Sequence, residues 1–127
     1  MLIWLGRSVL TRESTEKLLF AIVALETGLG LANDEKITNT LARYTAFLLS
    51  DDGKKRHAIY RRVKHWYGLR SEVVHAGRPV TSKAEADHAF RTVYRTAGRL
   101  LEMSDRFKSK DDFRAHMEAV TIGGKSI

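Results

Sequence analysis

The chain has no cysteine. Disulfides, thiolate metal centres and cysteine nucleophiles are therefore excluded, and the composition fits a reducing, cytoplasmic setting. There is one proline, Pro79, and no segment that alternates apolar and polar residues as a half-buried strand does. Internal repeats and low-complexity segments are absent as well. Long hydrophobic runs are missing: Leu2, Ile3, Trp4 and Leu5 are followed by Gly6, Arg7 and Ser8 before a secretory core or membrane span can form. The expectation is a soluble protein with no membrane partner. Acid is the scarcer charge, Asp+Glu 15 against Lys+Arg 22, and the formal net charge of +7 favours a polyanionic partner.

What is present is helical. At 127 residues the chain reads as one domain, 1–127, able to bury roughly two thirds of its unfolded surface. Residues 1–10 form an N-terminal extension, strand-like or briefly helical, that covers part of the core. From Thr11 to Leu29, apolar residues at Leu18, Leu19, Ile22, Leu25 and Leu29 have the spacing of a helix with one buried face. Thr11 or Ser14 supplies the N-cap and Gly28 or Gly30 the stop. Asn33 or Asp34 caps a second helix with Ile37, Leu41, Tyr44 and Leu48 inside. Glu26 and Arg43 fall near these apolar faces; they either pair with each other across the two helices or reach water at the edge. Asp51-Asp52-Gly53 makes a turn into a third helix, Lys54 to about Val74, apolar at Ile59, Val63, Trp66 and Tyr67. Its other side carries Lys54, Lys55, Arg56, Arg61, Arg62 and Lys64, a solvated face or a phosphate-attracting one. Thr81 or Ser82, with Glu85 three positions after Ser82, forms a capping box for a fourth helix bearing a rail of Arg91, Arg95 and Arg99. A last helix, about Lys110 to Val120, precedes a frayed tail at 122–127. The fold class is an all-α, up-and-down bundle of four to five helices.

The chemistry concentrates at Arg70-Ser71-Glu72-Val73-Val74-His75, on the last turns of the third helix. Five positions turn an α-helix by about 500°, so Arg70 and His75 stand about 140° apart in azimuth. Either the helix loosens near Val74 to Gly77 or a second subunit completes the site. Ser71 and His75 share a face. His57, His65, His88 and His116 have no ligand spacing, so no metal and no cofactor is assigned.

On Arg70 to His75 the chain resembles the HEPN superfamily, in particular its Apea-like group, which is marked by an Arg, a polar residue and a His a few positions later near the end of the third helix. Ala24-Leu25-Glu26, Leu41-Ala42-Arg43, Phe47-Leu48-Leu49, Tyr67 and the stretch from Ala119 to Gly124 agree with it. The resemblance implies a homodimer whose motif helices face each other across a composite cleft. It implies either a metal-independent endoribonuclease, as in toxin–antitoxin, defence or RNA-processing systems, or a non-catalytic module that dimerises or binds RNA or protein. An antitoxin or other protein partner follows in the toxin case.

For cleavage, His75 suits proton transfer at a 2′-hydroxyl or 5′-oxygen, and the planar fork of Arg70 suits the phosphate. Ser71 or Glu72 holds the imidazole or a phosphate oxygen, while Arg61, Arg62, Lys64 and Arg78 bind the RNA backbone. His75 and Arg70 also have plainer uses, as a cation closing the helix and as an ion-pair partner. Gly77 stands where HEPN toxins silenced by nucleotide transfer carry a Tyr, so that mode of control does not carry over.

Overall fold

The computed structural model describes residues 1–31, 37–76 and 81–123, with side chains at all of these except 72–76 and 123. The described chain is all helix: α1 (Leu2–Leu10), α2 (Ser14–Gly28), α3 (Thr38–Leu49), α4 (Gly53–Ala76), α5 (Lys83–Met103) and α6 (Lys110–Gly123), with a 3₁₀ turn at Ser104–Arg106. Six α-helices replace the four to five expected, because the first ten residues are not an extension. Leu5 and Ser8 turn inward on α1, and the buried Ser8 hydroxyl donates to the Lys17 carbonyl at 2.8 Å, tying α1 to α2.

Helix α2 lies at the centre, packed on α1, α5 and α4. Its start is capped by Glu13 rather than by Thr11 or Ser14. The Glu13 carboxylate accepts from the backbone N–H of Thr15 at 2.9 Å and of Glu16 at 2.6 Å, while Thr11 donates to Glu16 instead. A carboxylate at this end also meets the positive end of the helix dipole. The other end closes in a Schellman turn: Gly30 N–H reaches Thr27 O at 3.2 Å and Leu31 N–H reaches Glu26 O at 2.9 Å. Gly30 makes this possible with φ +73°, and Leu31 is buried against the core. The backbone of Glu26 is thereby fixed in the last turn.

Leu18, Ala21, Ile22 and Leu25 of α2 meet Ala86, Ala89, Val93 and Ala97 of α5. Three alanines on the α5 side let the two axes approach closely, which is why this is one of the two most extensive helix contacts. The other joins α3 to α4, where Leu41, Tyr44 and Leu48 face Val63 and the fully buried Trp66. Asp52 caps α4, accepting from Lys55 N–H at 3.0 Å. Helix α3 begins at Thr38; Asn33 and Asp34, expected to cap it, lie outside the described residues. Helix α6 runs on through Gly123, so 122 and 123 belong to it rather than to a frayed tail.

The expected Glu26–Arg43 pair does not form. Arg43 points to α6, donating to Glu118 at 2.9 and 3.2 Å and to Thr121 at 2.9 Å. Glu118 also accepts from the buried Tyr44 hydroxyl at 2.6 Å. Burial, followed by this carboxylate, pushes the Tyr44 pKa up to about 12. Arg43 is therefore the clamp that holds α6 on α3, which leaves Glu26 to another cation.

The Glu13 cap generates a stability prediction. Hydrogen bonds from Thr15 hold the Glu13 pKa below its ordinary 4.5. Because the folded-state pKa is lowered, the cap's contribution is complete above the unfolded value near 4.5 and is lost as pH falls through the folded pKa. Glu13→Ala is expected to cost about 1 kcal/mol at pH 7 by urea denaturation, with the difference from wild type shrinking markedly by pH 3.

Candidate functional site at the end of the fourth helix

Ile59, Val63, Trp66 and Arg70 are spaced 4, 3 and 4 apart, so Arg70 continues the core-facing stripe of α4. The guanidinium follows the buried indole into the junction between α4 and the end of α2. There its Nη1 stands 3.0 Å from Glu26 Oε1 and 3.4 Å from the Tyr67 hydroxyl, and the guanidinium lies 5.5 Å from the Tyr67 ring centre. Glu26 is 6% exposed, whereas the Arg70 side chain keeps about a third of its surface in contact with solvent.

The contact is ionic rather than a directed hydrogen bond, so the buried Oε1 of Glu26 has no hydrogen-bond donor. A carboxylate in this position is poorly solvated. Burial raises the Glu26 pKa, and the nearby Arg70 charge opposes that rise without cancelling it. The site is thus a half-exposed cation seated on a buried, incompletely satisfied acid.

Helix α4 remains helical through Ala76, so it does not loosen before that residue. Position 75 consequently lies about 140° around the helix from position 70, close to the azimuths of Lys64 and Ser71 on the outer face. The side chains of Glu72 and His75, and all of Arg78, lie outside what the structure describes. Ser71 is exposed, and its hydroxyl donates back to the Tyr67 carbonyl at 3.4 Å.

Arg61, Arg62 and Lys64, in the middle of α4, divide into two groups. Arg61 and Lys64 are exposed, with the Lys64 ammonium 5.4 Å from the Tyr60 ring. Arg62 is engaged with α5: its Nη1 is 3.6 Å from Glu85 Oε2 and 3.2 Å from His88 Nδ1. An arginine can only donate, so His88 Nδ1 is the acceptor and the ring is neutral in this arrangement. Burial first, and then the Arg62 charge, holds the His88 pKa below its ordinary value. Glu85 also accepts from Trp66 Nε1 at 2.5 Å. Ala58, Arg61, Arg62, His65 and Glu85 line an open groove of about 560 Å³ between the two helices.

The structure therefore brings Arg70 together with Glu26 and Tyr67, separates Arg70 from position 75, and places Arg61, Lys64 and Ser71 on the outer side of α4. The role of Tyr67 as a hydroxyl partner of Arg70 and the bridging role of Glu85 were not anticipated. The spacing of three from Tyr67 to Arg70, and of four from Trp66 to Arg70, was the available signal for the first. The second depends on a contact between residues 19 apart and had none.

Comparison with known proteins finds no matching family model, no matching curated protein and no matching solved structure. Among the described residues, no helix is long and apolar enough to cross a membrane.

The raised pKa of Glu26 has a definite sign. The folded state holds this proton more tightly than the unfolded chain, so the stability it contributes is full below the unfolded value near 4.5 and is lost as pH rises through the folded value. Glu26→Gln mimics the neutral form. The difference in urea midpoint, variant minus wild type, is expected to increase from pH 4 to pH 8; a difference that stays flat would show that Glu26 titrates normally.

Proposed function

We propose that this chain is a HEPN-type, metal-independent endoribonuclease that acts as a homodimer, in a toxin, defence or RNA-processing setting. The observation that carries the reading is the seating of Arg70: a guanidinium held at the end of α4 by the buried Glu26, with one edge open to solvent and His75 five residues further along the same helix. An immobilised, partly exposed guanidinium suits the extra negative charge of a phosphorane, and an imidazole suits transfer of the 2′-hydroxyl proton. Because α4 is regular to Ala76, a single copy does not present both groups on one face. The proposed cleft therefore pairs Arg70 and His75 of two copies around one phosphodiester, and Arg61 and Lys64 draw the RNA backbone along the outer face.

A second reading is favoured by the same ion pair. Arg70 already has an internal task, the neutralisation of Glu26, and that task needs no substrate. On this reading the domain is a non-catalytic HEPN-like module that dimerises or binds RNA or a protein partner. It predicts RNA binding without turnover.

The two are separated by cleavage assays on single-stranded RNA in the presence of chelator. Arg70→Ala alone leaves a buried carboxylate without its cation, at a stability cost on the order of 3 kcal/mol, so the informative variants are Glu26→Gln/Arg70→Ala and His75→Ala, each checked for helicity. Ribonuclease function is expected to yield cyclic-phosphate ends and to fall at least ~100-fold in both variants. Cleavage at the wild-type rate by both folded variants rejects the proposed site, and RNA binding with no cleavage by the wild type selects the module.

A further inference from the structure

The surface between α4 and α5 gathers cations that the fold leaves without counter-charges. Arg62 of α4 and Arg91 and Arg95 of α5 all act on the ring of His88, which Trp66 meets edge-on with 5.3 Å between ring centres. Arg61 and Arg95 are exposed and have no ion-pair partner among the described residues. Arg91 shares Asp87 with Lys17. The acid that lines this surface, Glu85, is taken up by Trp66 Nε1 and Arg62. Burial, then the Arg62 charge, lowers the His88 pKa from its ordinary 6.5; Arg91 and Arg95 add to this and Glu85 opposes it. Like charges grouped around a neutral ring favour an incoming anion.

The feature is long rather than a single pocket. At one end is the groove of about 560 Å³ lined by Ala58, Arg61, Arg62, His65 and Glu85. Arg95, which acts on His88, also lines a hollow of about 480 Å³ with Gly98 and Arg99, against the turn between α3 and α4. Both hollows therefore lie along one edge of α5. From Glu85 to Arg99 that edge is about 21 Å long, several times the ~3.4 Å spacing of phosphates along one nucleic-acid strand. The acids at the far end are engaged: Glu102 meets Arg99 at 3.1 Å, and Asp51 stands 4.0 Å from Arg56.

We propose that this trough binds the phosphate backbone of a single RNA strand, with Arg62, Arg91 and Arg95 grouped around one phosphate and His88 as a fourth donor. An anion at this point reverses the field at the imidazole, so His88 takes up a proton from solvent as the strand binds. Its Nδ1, which now accepts from Arg62, then becomes a donor. Arg62 is freed for the phosphate, whose oxygens a guanidinium fork meets in pairs. Along α4, Arg62 is about 12 Å from Arg70, so a strand at the proposed cleft reaches the trough. That the strand is RNA rests on the ribonuclease reading; that the trough takes phosphate does not.

Proton uptake gives a readout that general charge attraction lacks. Histidine ring NMR is followed against pH on the full chain, with and without a 2′-O-methyl RNA dodecamer, which has no 2′-hydroxyl to react. The His88 pKa is expected to rise by about one unit on binding, and affinity to increase about tenfold from pH 7.5 to pH 5.5 by the same linkage. His88→Gln keeps an acceptor for Arg62 and is expected to lose most of that pH dependence. Arg91→Gln/Arg95→Gln, both exposed on α5, is expected to bind at least ~10-fold more weakly with helicity unchanged, and to flatten the salt slope by about 1.4. Arg7→Gln/Arg12→Gln removes the same charge from α1 and the turn after it and serves as the control. A His88 pKa unmoved by the dodecamer overturns the proposal, as does a loss in Arg91→Gln/Arg95→Gln no larger than in the control. Inorganic phosphate shifting His88 as far as a dodecamer that binds no tighter assigns the trough to a free anion and also overturns it. A shift with poly-glutamate and none with the dodecamer does the same in favour of an acidic protein. Wild type that shifts His88 without cutting RNA rejects the ribonuclease reading alone; wild type that cuts with His88 unmoved rejects the trough alone.

Discussion

A carboxylate buried at the end of a helix is costly unless a cation meets it, and at Glu26 that cation can come only from an element that packs there. The Schellman turn at Gly30 and Leu31 fixes the Glu26 backbone, and the core stripe of α4 delivers Arg70 to it. This pairing docks the last turns of α4 against the end of α2. Once α4 is held this way, its opposite side, with Arg61 and Lys64, has to face solvent. The outward orientation of Arg61 and Lys64 thus goes together with the packing that brings Arg70 to Glu26.

The other part-buried acids act in a similar way. Glu85 joins α5 to α4 through Trp66 and Arg62, Glu118 joins α6 to α3 through Tyr44 and Arg43, and Asp87 meets Lys17 at 3.1 Å between α5 and α2. Four of the chain's comparatively scarce acids are used at helix junctions. Arg61 and Lys64, on the outer side of α4, are exposed and are not among the cations these acids meet. That arrangement suits a polyanion along α4.

Much of the helical layout was legible in the residues because burial imposes a period. The stripes through Leu18, Ile22 and Leu25 and through Leu41, Tyr44 and Leu48 are buried as that period requires. Caps were less legible: Glu13 took the position expected of Thr11 or Ser14, since its longer carboxylate reaches two backbone N–H groups at once. Residues 1–10 read as an extension because their apolar run is short and is interrupted by Gly6, Arg7 and Ser8. They became a helix with a defined inner face once Ser8 had the Lys17 carbonyl to bond.

The sequence by itself determined the all-helical class, the positive charge and the nearness of Arg70 to His75 along the chain, because each of these depends only on composition or on local spacing. Tertiary structure alone decided which acid each arginine meets. Arg43 and Arg70 both lie on half-apolar helix faces, and nothing local distinguishes their partners; the packing of α6 on α3 gave Glu118 to the first, and the packing of α4 on α2 gave Glu26 to the second. Long-range charge pairing follows the docking of whole helices, which hydrophobic burial fixes over many residues at once.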